Sequence, residues 1–116
     1  YVEYQNKKAF VEVKGVTLEK DGVARFPDAP TQRGVKHLKE LQECIRDGYE
    51  AWIIFVVQMK GVHLFEPNEK THPEFAEALR EAERAGVQIE ARDCIVEPAR
   101  IKIDRKIPVD LTTEKR

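Results

Sequence analysis

The order of the predicted elements indicates a mixed α/β fold, in which a β-sheet is flanked by helices in an α/β/α sandwich. The chain opens on a meander of short β-rich stretches, and two amphipathic helices then alternate with strands. Residues 51–57 are continuously apolar and rich in β-branched side chains, as expected of a strand that is covered on both faces. The length of 116 residues fits one domain.

Four short strands are predicted in the first quarter of the chain, at residues 1–4, 9–14, 16–19 and 23–26. Polar residues 5–8 separate the first two strands, and Asp21-Gly22 lies between the last two. Both separators are typical of tight turns between antiparallel strands. The chain is therefore predicted to begin as two hairpins.

Two amphipathic helices are predicted to follow. The first begins after Thr31, a residue type favoured at the N-cap, and ends at Gly48. Its apolar stripe has the three- and four-residue spacing of a helix and comprises Val35, Leu38, Leu41 and Ile45. The second begins within residues 71–74, where a proline and a glutamate suit a first turn, and it ends at Gly86.

The segments after the first helix complete the predicted sheet. Residues 51–57 form its central strand, and residues 87–96 and 100–103 form two later strands. Residues 60–70 contain glycine, proline and asparagine without a clear period, so we interpret them as a loop. Because strand–helix–strand units pair in parallel and hairpins pair in antiparallel, the sheet is predicted to be mixed.

Charge and composition exclude several classes of protein. Lys and Arg number 20 against 21 Asp and Glu, so attraction to a polyanion must arise from the local placement of charge. Cys44 and Cys94 lack metal or disulfide spacing and are interpreted as core residues, which favours a cytoplasmic protein. The longest apolar run, residues 51–57, is too short to cross a membrane. The chain opens at Tyr1 on strand-like residues, so we expect it to be a piece of a longer protein.

The sharpest local feature is a carboxylate and an ammonium two residues apart on one predicted strand, at Glu12 and Lys14. Side chains alternate across a strand, so this pair shares a face about 7 Å apart. Val11 and Val13 are then expected to pack under the first helix. Phosphodiester hydrolysis needs such a pair, because the carboxylate can hold Mg²⁺ and the lysine can stabilise developing charge. The alternative is an ordinary solvent-facing ion pair.

Basic residues elsewhere indicate contacts with phosphate. Arg33 and Lys36 lie at the start of the first helix, where the helix dipole disfavours cations, and this misfit favours a phosphate-binding role. A second basic stretch alternates with isoleucines and comprises Arg100, Lys102, Arg105 and Lys106. It can follow a nucleic-acid backbone, or it can be a charged edge strand that is protected against edge-to-edge pairing.

Longer stretches of the sequence resemble one family. Residues 11–41, VEVKGVTLEKDGVARFPDAPTQRGVKHLKEL, resemble the signature stretch of the sugar fermentation stimulation protein A family. FVVQ at residues 55–58, PEFAEALREAERAGV and IPVDL resemble its later part. The resemblance implies that residues 1–116 form a carboxy-terminal nuclease-like domain with a PD-(D/E)xK core, like that of restriction endonucleases. It also implies an OB-like amino-terminal domain that is not in this chain.

The resemblance further implies a set of site residues. Glu12 and Lys14 match the acid and the lysine of the family's ExK element. Asp28, Arg33 and His37 match further motif positions near the site. On this basis Glu12, Lys14 and Asp28 are the candidate catalytic residues, and Glu12 and Asp28 would hold Mg²⁺ or Mn²⁺. Arg33, Lys36 and His37 would contact DNA phosphates.

The sequence departs from the family pattern in two places. The family's aspartate on the preceding strand would fall just before Tyr1, and Glu3 is the only acid on that predicted strand. Gly15 stands where a small polar residue, usually serine, is expected. Ordinary structural roles also remain open for three residues: Asp28 as a solvated turn residue, His37 as a helix-surface residue and Gln58 as a strand end.

Three functions follow from these features. The resemblance implies a DNA-binding protein linked to the regulation of sugar metabolism, chiefly of maltose, and the charge pattern favours binding mainly through phosphates. The second function is a Mg²⁺-dependent DNA endonuclease that uses Glu12 and Lys14. The third is a scaffold that positions the OB-like domain without catalysis. Metal binding separates the second function from the third.

Overall fold

The computed structural model describes residues 2–4 and 7–112, with side chains from Lys8 onward. The described elements are β1 (Val2–Tyr4), β2 (Lys7–Val16), β3 (Leu18–Lys20), β4 (Val23–Phe26), α1 (Gln32–Arg46), β5 (Glu50–Val57), β6 (Leu64–Pro67), α2 (Pro73–Ala85), β7 (Gln88–Glu97) and β8 (Arg100–Ile107). Part of the turn predicted at residues 5–8, and the side chain of Glu3, lie outside the described residues. Within the described part of the chain, neither helix is long and apolar enough to cross a membrane.

The strands form a five-stranded sheet and a three-stranded sheet. In the larger sheet the order is β1-β2-β5-β7-β8, with β2, β5 and β7 parallel and the outer strands β1 and β8 antiparallel to their neighbours. The smaller sheet has the order β3-β4-β6. The predicted mixed α/β fold is therefore confirmed, and β5 is the central strand.

The core lies on one face of the larger sheet, and both helices pack there. Alternate side chains of β5 point toward this face and are buried. The Phe55 ring stacks on Phe65 of the smaller sheet with centroids 4.4 Å apart, and it meets Phe75 of α2 edge-on. The smaller sheet and the helices thus cover the same face. A second helical layer, which an α/β/α sandwich also requires, is not formed by the described residues.

The helix ends follow from the residue types that predicted them. The Thr31 Oγ1 accepts a hydrogen bond from the Gly34 amide at 2.9 Å and so caps α1. α2 ends at Gly86, which adopts a φ of +109° without strain because it has no Cβ. Gly34 also lets the two helices approach closely, because a Cβ there would lie 3.0 Å from the Phe75 ring.

The prediction that Val11 and Val13 pack under the first helix is wrong. Glu12 and Lys14 face α1 instead, and Val13 is 56% exposed on the opposite face of the sheet. The apolar contribution to the helix-covered face comes from the strand's end, where Val16 is buried. The charged pair can occupy this face because α1 supplies it with a polar partner, His37.

The interpretation of residues 60–70 as a loop is also wrong in part, because they contain strand β6. This strand has only four residues, one of which is Glu66 and one Pro67, so it shows neither alternation nor an apolar run. Glu66 is nevertheless buried, since its Oε1 accepts a hydrogen bond from the Arg25 Nε at 2.9 Å on the neighbouring strand. The pairing, rather than the composition, makes this segment a strand.

Candidate nucleic-acid and metal site

Three polar side chains meet between β2 and α1, and we call Glu12, Lys14 and His37 the Glu12 cluster. The Glu12 Oε1 and the Lys14 Nζ each lie 2.8 Å from the His37 Nδ1, and they lie 3.4 Å from each other. Their side chains are between 15% and 31% exposed. The strand places the acid and the lysine on one face, and the helix brings the imidazole over both.

The Glu12 cluster contains an acid, a base and a cation in mutual contact. The His37 Nδ1 donates to the Glu12 carboxylate in one tautomer and accepts from the Lys14 ammonium in the other, so it serves one partner at a time. Such a group can hold a cation, stabilise charge on a phosphate or transfer a proton. The structure thus brings together three of the residues that the sequence predicted.

The donor set fits a divalent cation that shares its coordination with a phosphate. Mg²⁺ is usually held by one or two carboxylates together with substrate phosphates, and Glu12 supplies one carboxylate. Asp28, the predicted second ligand, is exposed in the loop between β4 and α1. Among the described residues there is no group of three or more His, Cys, Asp or Glu side chains suited to a metal ion. Among the described side chains, Glu12 thus offers an ion one carboxylate, and oxygen atoms of a substrate or of water would add to its coordination.

Helix α1 places two further cations beside the Glu12 cluster. Arg33 precedes His37 by four residues, so it lies on the same flank of the helix one turn nearer the amino end. Lys36 is its neighbour on the exposed side, and neither residue has an ion-pair partner in the described part of the chain. We call Lys14, Arg33 and Lys36 the basic rim. The positive end of the α1 dipole adds to its attraction for an anion.

The side chain of Gln58 lies across Gly15, at the carboxyl end of β2. A Cβ at position 15 would be 2.9 Å from the Gln58 Nε2. By strand alternation this contact is on the face opposite to Glu12 and Lys14. Gln58 therefore covers the strand end and does not enter the Glu12 cluster.

The basic stretch of β8 is partly neutralised by its own neighbours. Arg100 lies 3.2 Å from Glu97, and Lys106 lies 3.2 Å from Glu90 on β7. Two exposed cations of this stretch, Lys102 and Arg105, have no ion-pair partner among the described side chains. β8 and β2 are three strand spacings apart, roughly 14 Å, so these two cations lie at the other edge of the larger sheet from the Glu12 cluster.

A second charged cluster was not foreseen from the sequence. The Lys60 Nζ contacts Asp104 and lies 3.1 Å from the Oδ1 of buried Asp93, which also accepts the Arg105 amide hydrogen at 2.7 Å. The hydrogen bond with Lys60 lowers the pKa of Asp104, and the same bond raises the pKa of Lys60. Asp93 lies between the buried residues Ala91 and Cys94 of β7, and a carboxylate in that position is the signal that could have indicated a partner. The cluster joins β8 to the loop after β5.

A cavity of about 260 Å³ opens beside the Glu12 cluster, between β2 and α1. Its walls come from one strand and from one flank of the helix: Phe10, Val11, Glu12, His37, Glu40, Leu41 and Cys44. Burial, together with the carboxylates of Asp47, Glu43 and Glu40, raises the pKa of Cys44. The thiol is therefore a poor nucleophile at neutral pH, in agreement with its interpretation as a packing residue.

Comparison with known proteins relates the chain to one family. The family model described as "Sugar fermentation stimulation protein RE domain" matches residues 1–100. A sugar fermentation stimulation protein homolog from Ruminiclostridium cellulolyticum is 57% identical over 111 residues, which cover 96% of this chain and 49% of the relative. The homolog from Clostridium beijerinckii is 56% identical over 111 residues, with the same coverage of 96% and 49%.

A solved structure supports the same relationship. Pyrococcus furiosus SfsA in complex with Ca²⁺ matches with a TM-score of 0.85 and 37% identity, over 93% of this chain and 47% of that chain. This likeness fits the predicted restriction-endonuclease-like fold. The chain spans about half the length of the relatives that it matches. From its sequence and its fold alike, the chain belongs to the sugar fermentation stimulation protein family.

Proposed function

We propose that the chain binds DNA, mainly through phosphates. The observation that carries this proposal is the basic rim, where Lys14, Arg33 and Lys36 gather at the amino end of α1 in a protein of net charge −1. Exposed cations at a helix amino terminus, here Arg33 and Lys36, form a site suited to phosphate oxygens, and Lys14 on β2 adds a third cation although it also lies 3.4 Å from Glu12. Lys102 and Arg105 on β8 offer a second contact along the same backbone.

The proposal extends to the longer protein in three respects. Its OB-like amino-terminal domain would be the partner of this domain and would add contacts with nucleic acid. DNA binding by the two domains together would account for a role in regulating sugar metabolism, including that of maltose. Such a regulator acts in the cytoplasm.

Salt-dependent binding tests the proposal. Fluorescence anisotropy with labelled DNA of unrelated sequences should show weak binding that falls steeply as salt is added, because few phosphates are contacted and counterions are released. Arg33→Glu should weaken binding to every sequence alike. Lys39→Glu is the matched control, because helical spacing places Lys39 on the other flank of α1. Salt-independent affinity, or equal losses in the two variants, would contradict phosphate binding at the rim.

A second candidate function is metal-dependent cleavage of DNA, and the Glu12 cluster favours it. Glu12, with Asp28 as the ligand implied by the resemblance, would hold Mg²⁺ or Mn²⁺. A bound ion of this kind would supply a Lewis acid for the phosphate. Lys14 would stabilise charge on the phosphate oxygens, and His37 would carry a proton at Nδ1. The complex of the Pyrococcus furiosus relative with Ca²⁺ supports a divalent cation in this family.

Metal titration and plasmid cleavage test this second function. We expect the 116-residue chain to bind Mn²⁺ weakly and to cut poorly, because it offers Glu12 few carboxylate partners. A version extended upstream of Tyr1 should cut faster if an acid there completes the site. Glu12→Gln should abolish cutting by the extended version, whereas Glu43→Gln on the exposed side of α1 should not. An extended protein that neither binds metal nor cuts would leave only the DNA-binding or scaffold function.

A further inference from the structure

The cavity beside the Glu12 cluster has an apolar part and an acidic part. Leu41 is buried and Phe10 is half-buried, and together they offer an apolar surface. The Phe10 ring is held by Tyr49, whose centroid lies 5.4 Å away at an angle of 66°. Glu40, on the exposed side, adds a carboxylate. Such a mixture of aromatic surface and polar group is typical of a binding site for a small flat molecule.

The size of the cavity limits the occupant. At about 260 Å³ it is smaller than the sites of drug-sized ligands, which measure roughly 300–1,000 Å³. A single heterocyclic ring system fits this volume. The occupant is therefore one ring whose remaining substituents lie outside the cavity.

Charge changes sign along the flank of α1 that faces β2. Arg33 and Glu40 are seven residues apart on this flank, roughly 10 Å along the helix. The Arg33 end attracts anions, whereas the Glu40 carboxylate lines the cavity end. A molecule with an anionic group at one end and a hydrogen-donating ring at the other matches this polarity. A nucleotide has this arrangement and about this length.

We propose that the cavity takes one unpaired nucleobase, preferably cytosine, while the adjoining phosphate contacts the basic rim. Phe10 would supply the surface for stacking, and the Glu40 carboxylate would accept a hydrogen bond from the exocyclic amino group of the base. Thymine has a carbonyl oxygen at that position, which the carboxylate repels. The preferred substrate is therefore single-stranded or locally opened DNA, an inference that rests on the proposed DNA-binding function.

Binding to homopolymers tests the base preference. Oligo(dC) and oligo(dT) of equal length should differ about tenfold in affinity, the effect of one well-placed base contact. Glu40→Ala should bring the ratio close to one, mainly by weakening the binding of oligo(dC). Glu43→Ala should retain the preference, because Glu43 lies on the same helix outside the cavity. Equal affinities in the unaltered protein, or a preference that survives Glu40→Ala, would overturn the assignment.

The two cysteines provide a second readout that reports on the cavity itself. Cys44 lines the cavity and is partly exposed, whereas Cys94 is buried and serves as an internal control. Oligo(dC) should slow the alkylation of Cys44 by a maleimide several-fold, and oligo(dT) should have little effect. If both oligonucleotides bind without protecting Cys44, the cavity assignment fails and phosphate binding stands. If neither binds, the proposed function itself fails.

Discussion

Strands β2 and β8 of the larger sheet carry similar residues in opposite circumstances. On β2, Glu12 and Lys14 are covered by a helix, and their charges meet a third group, His37. At the β8 edge, most charges lie in the open, and Arg100 and Lys106 are paired with acids of the same hairpin. The short charged motif of β2 thus forms part of a candidate site, whereas the longer basic stretch of β8 has part of its charge neutralised by neighbouring acids.

The difference shows that tertiary partners, not the number of charges, decide what a charged stretch can do. Arg100 and Lys106 each lie 3.2 Å from an acid of the neighbouring strand, so much of their field is cancelled. In the basic rim, Arg33 and Lys36 have no ion-pair partner among the described side chains. The rim therefore keeps its charge available for a ligand, although it contains fewer residues.

The largest effect should come from the buried acid that anchors the β8 edge. Asp93→Ala removes the acceptor of the Arg105 amide and one partner of Lys60, and we expect it to destabilise the fold by about 2 kcal/mol. Urea denaturation measures the loss. Asp104→Ala, which removes the exposed partner of the same lysine, should cost clearly less. Similar losses in both variants would mean that burial at Asp93 is unimportant.

The next largest effect is expected on DNA binding. It compares Arg105, a cation of β8 without an ion-pair partner among the described side chains, with Arg100, which has one. Arg105→Glu should weaken binding several-fold and lower the salt slope by about one, since each phosphate contact releases roughly one counterion. Arg100→Glu should have a smaller effect, because Glu97 already offsets that charge. Anisotropy titrations at several salt concentrations give both the affinity and its dependence on salt. Equal effects would remove the distinction between the paired and the free cations.

A smaller effect on the stability of the fold is expected at low pH. The pKa of Asp104 is lowered from 3.8, so its stabilisation is present above that pH and is lost as the pH falls through the lowered value. The pKa of Lys60 is raised from 10.5, so its contribution is present below that pH and is lost only in stronger alkali. Lys60→Met should therefore flatten the decline of the urea midpoint between neutral pH and about pH 3. If the urea midpoint of Lys60→Met declined at low pH as it does in the unaltered protein, the Lys60–Asp104 pair would contribute nothing measurable to stability.

The smallest effect is expected where β2 ends. Gly15→Ser brings a Cβ against the Gln58 amide, but that amide is the far end of a flexible side chain and can turn away. We expect a loss of stability of about 0.5 kcal/mol and unchanged DNA binding, because the contact lies on the face opposite to the Glu12 cluster. Gln58→Ala should restore the lost stability in the double variant. A large loss of DNA binding would place Gln58 at the site after all.

Much of the fold was predictable because its strongest signals are local. The stripe of α1, the cap at Thr31 and the apolar run of β5 each reflect one element and its immediate packing. β6 was missed because its strand character comes from pairing with β4, and buried Glu66 has its partner Arg25 on that neighbouring strand. Which face of β2 the helix would cover also depends on tertiary packing, so the expectation for Val13 failed.

The candidate site was predictable in its members but not in its contacts. Glu12, Lys14 and His37 were selected from a motif and a family resemblance, and the structure brings them within hydrogen-bonding distance. Nothing in the spacing of residues 12 and 37 indicates that contact, because it depends on the crossing of α1 over β2. The contacts of Lys60 with Asp93 and Asp104 were missed for the same reason. The metal-binding role of Asp28 and the DNA-binding roles of the cations on α1 and β8 stay predictions.

The parallel centre of the larger sheet also governs how the chain can reach its fold. Phe10 pairs with Ala51, and Trp52 pairs with Gln88, so each of these pairings closes a loop of roughly 40 residues. The two helices and the β7–β8 hairpin form from nearby residues and can appear early. Contacts between distant segments form slowly, because chain entropy is lost before they stabilise anything. We therefore expect the docking of β2 and β7 on β5 to limit the rate of folding, and the Glu12 cluster to be assembled in that same step.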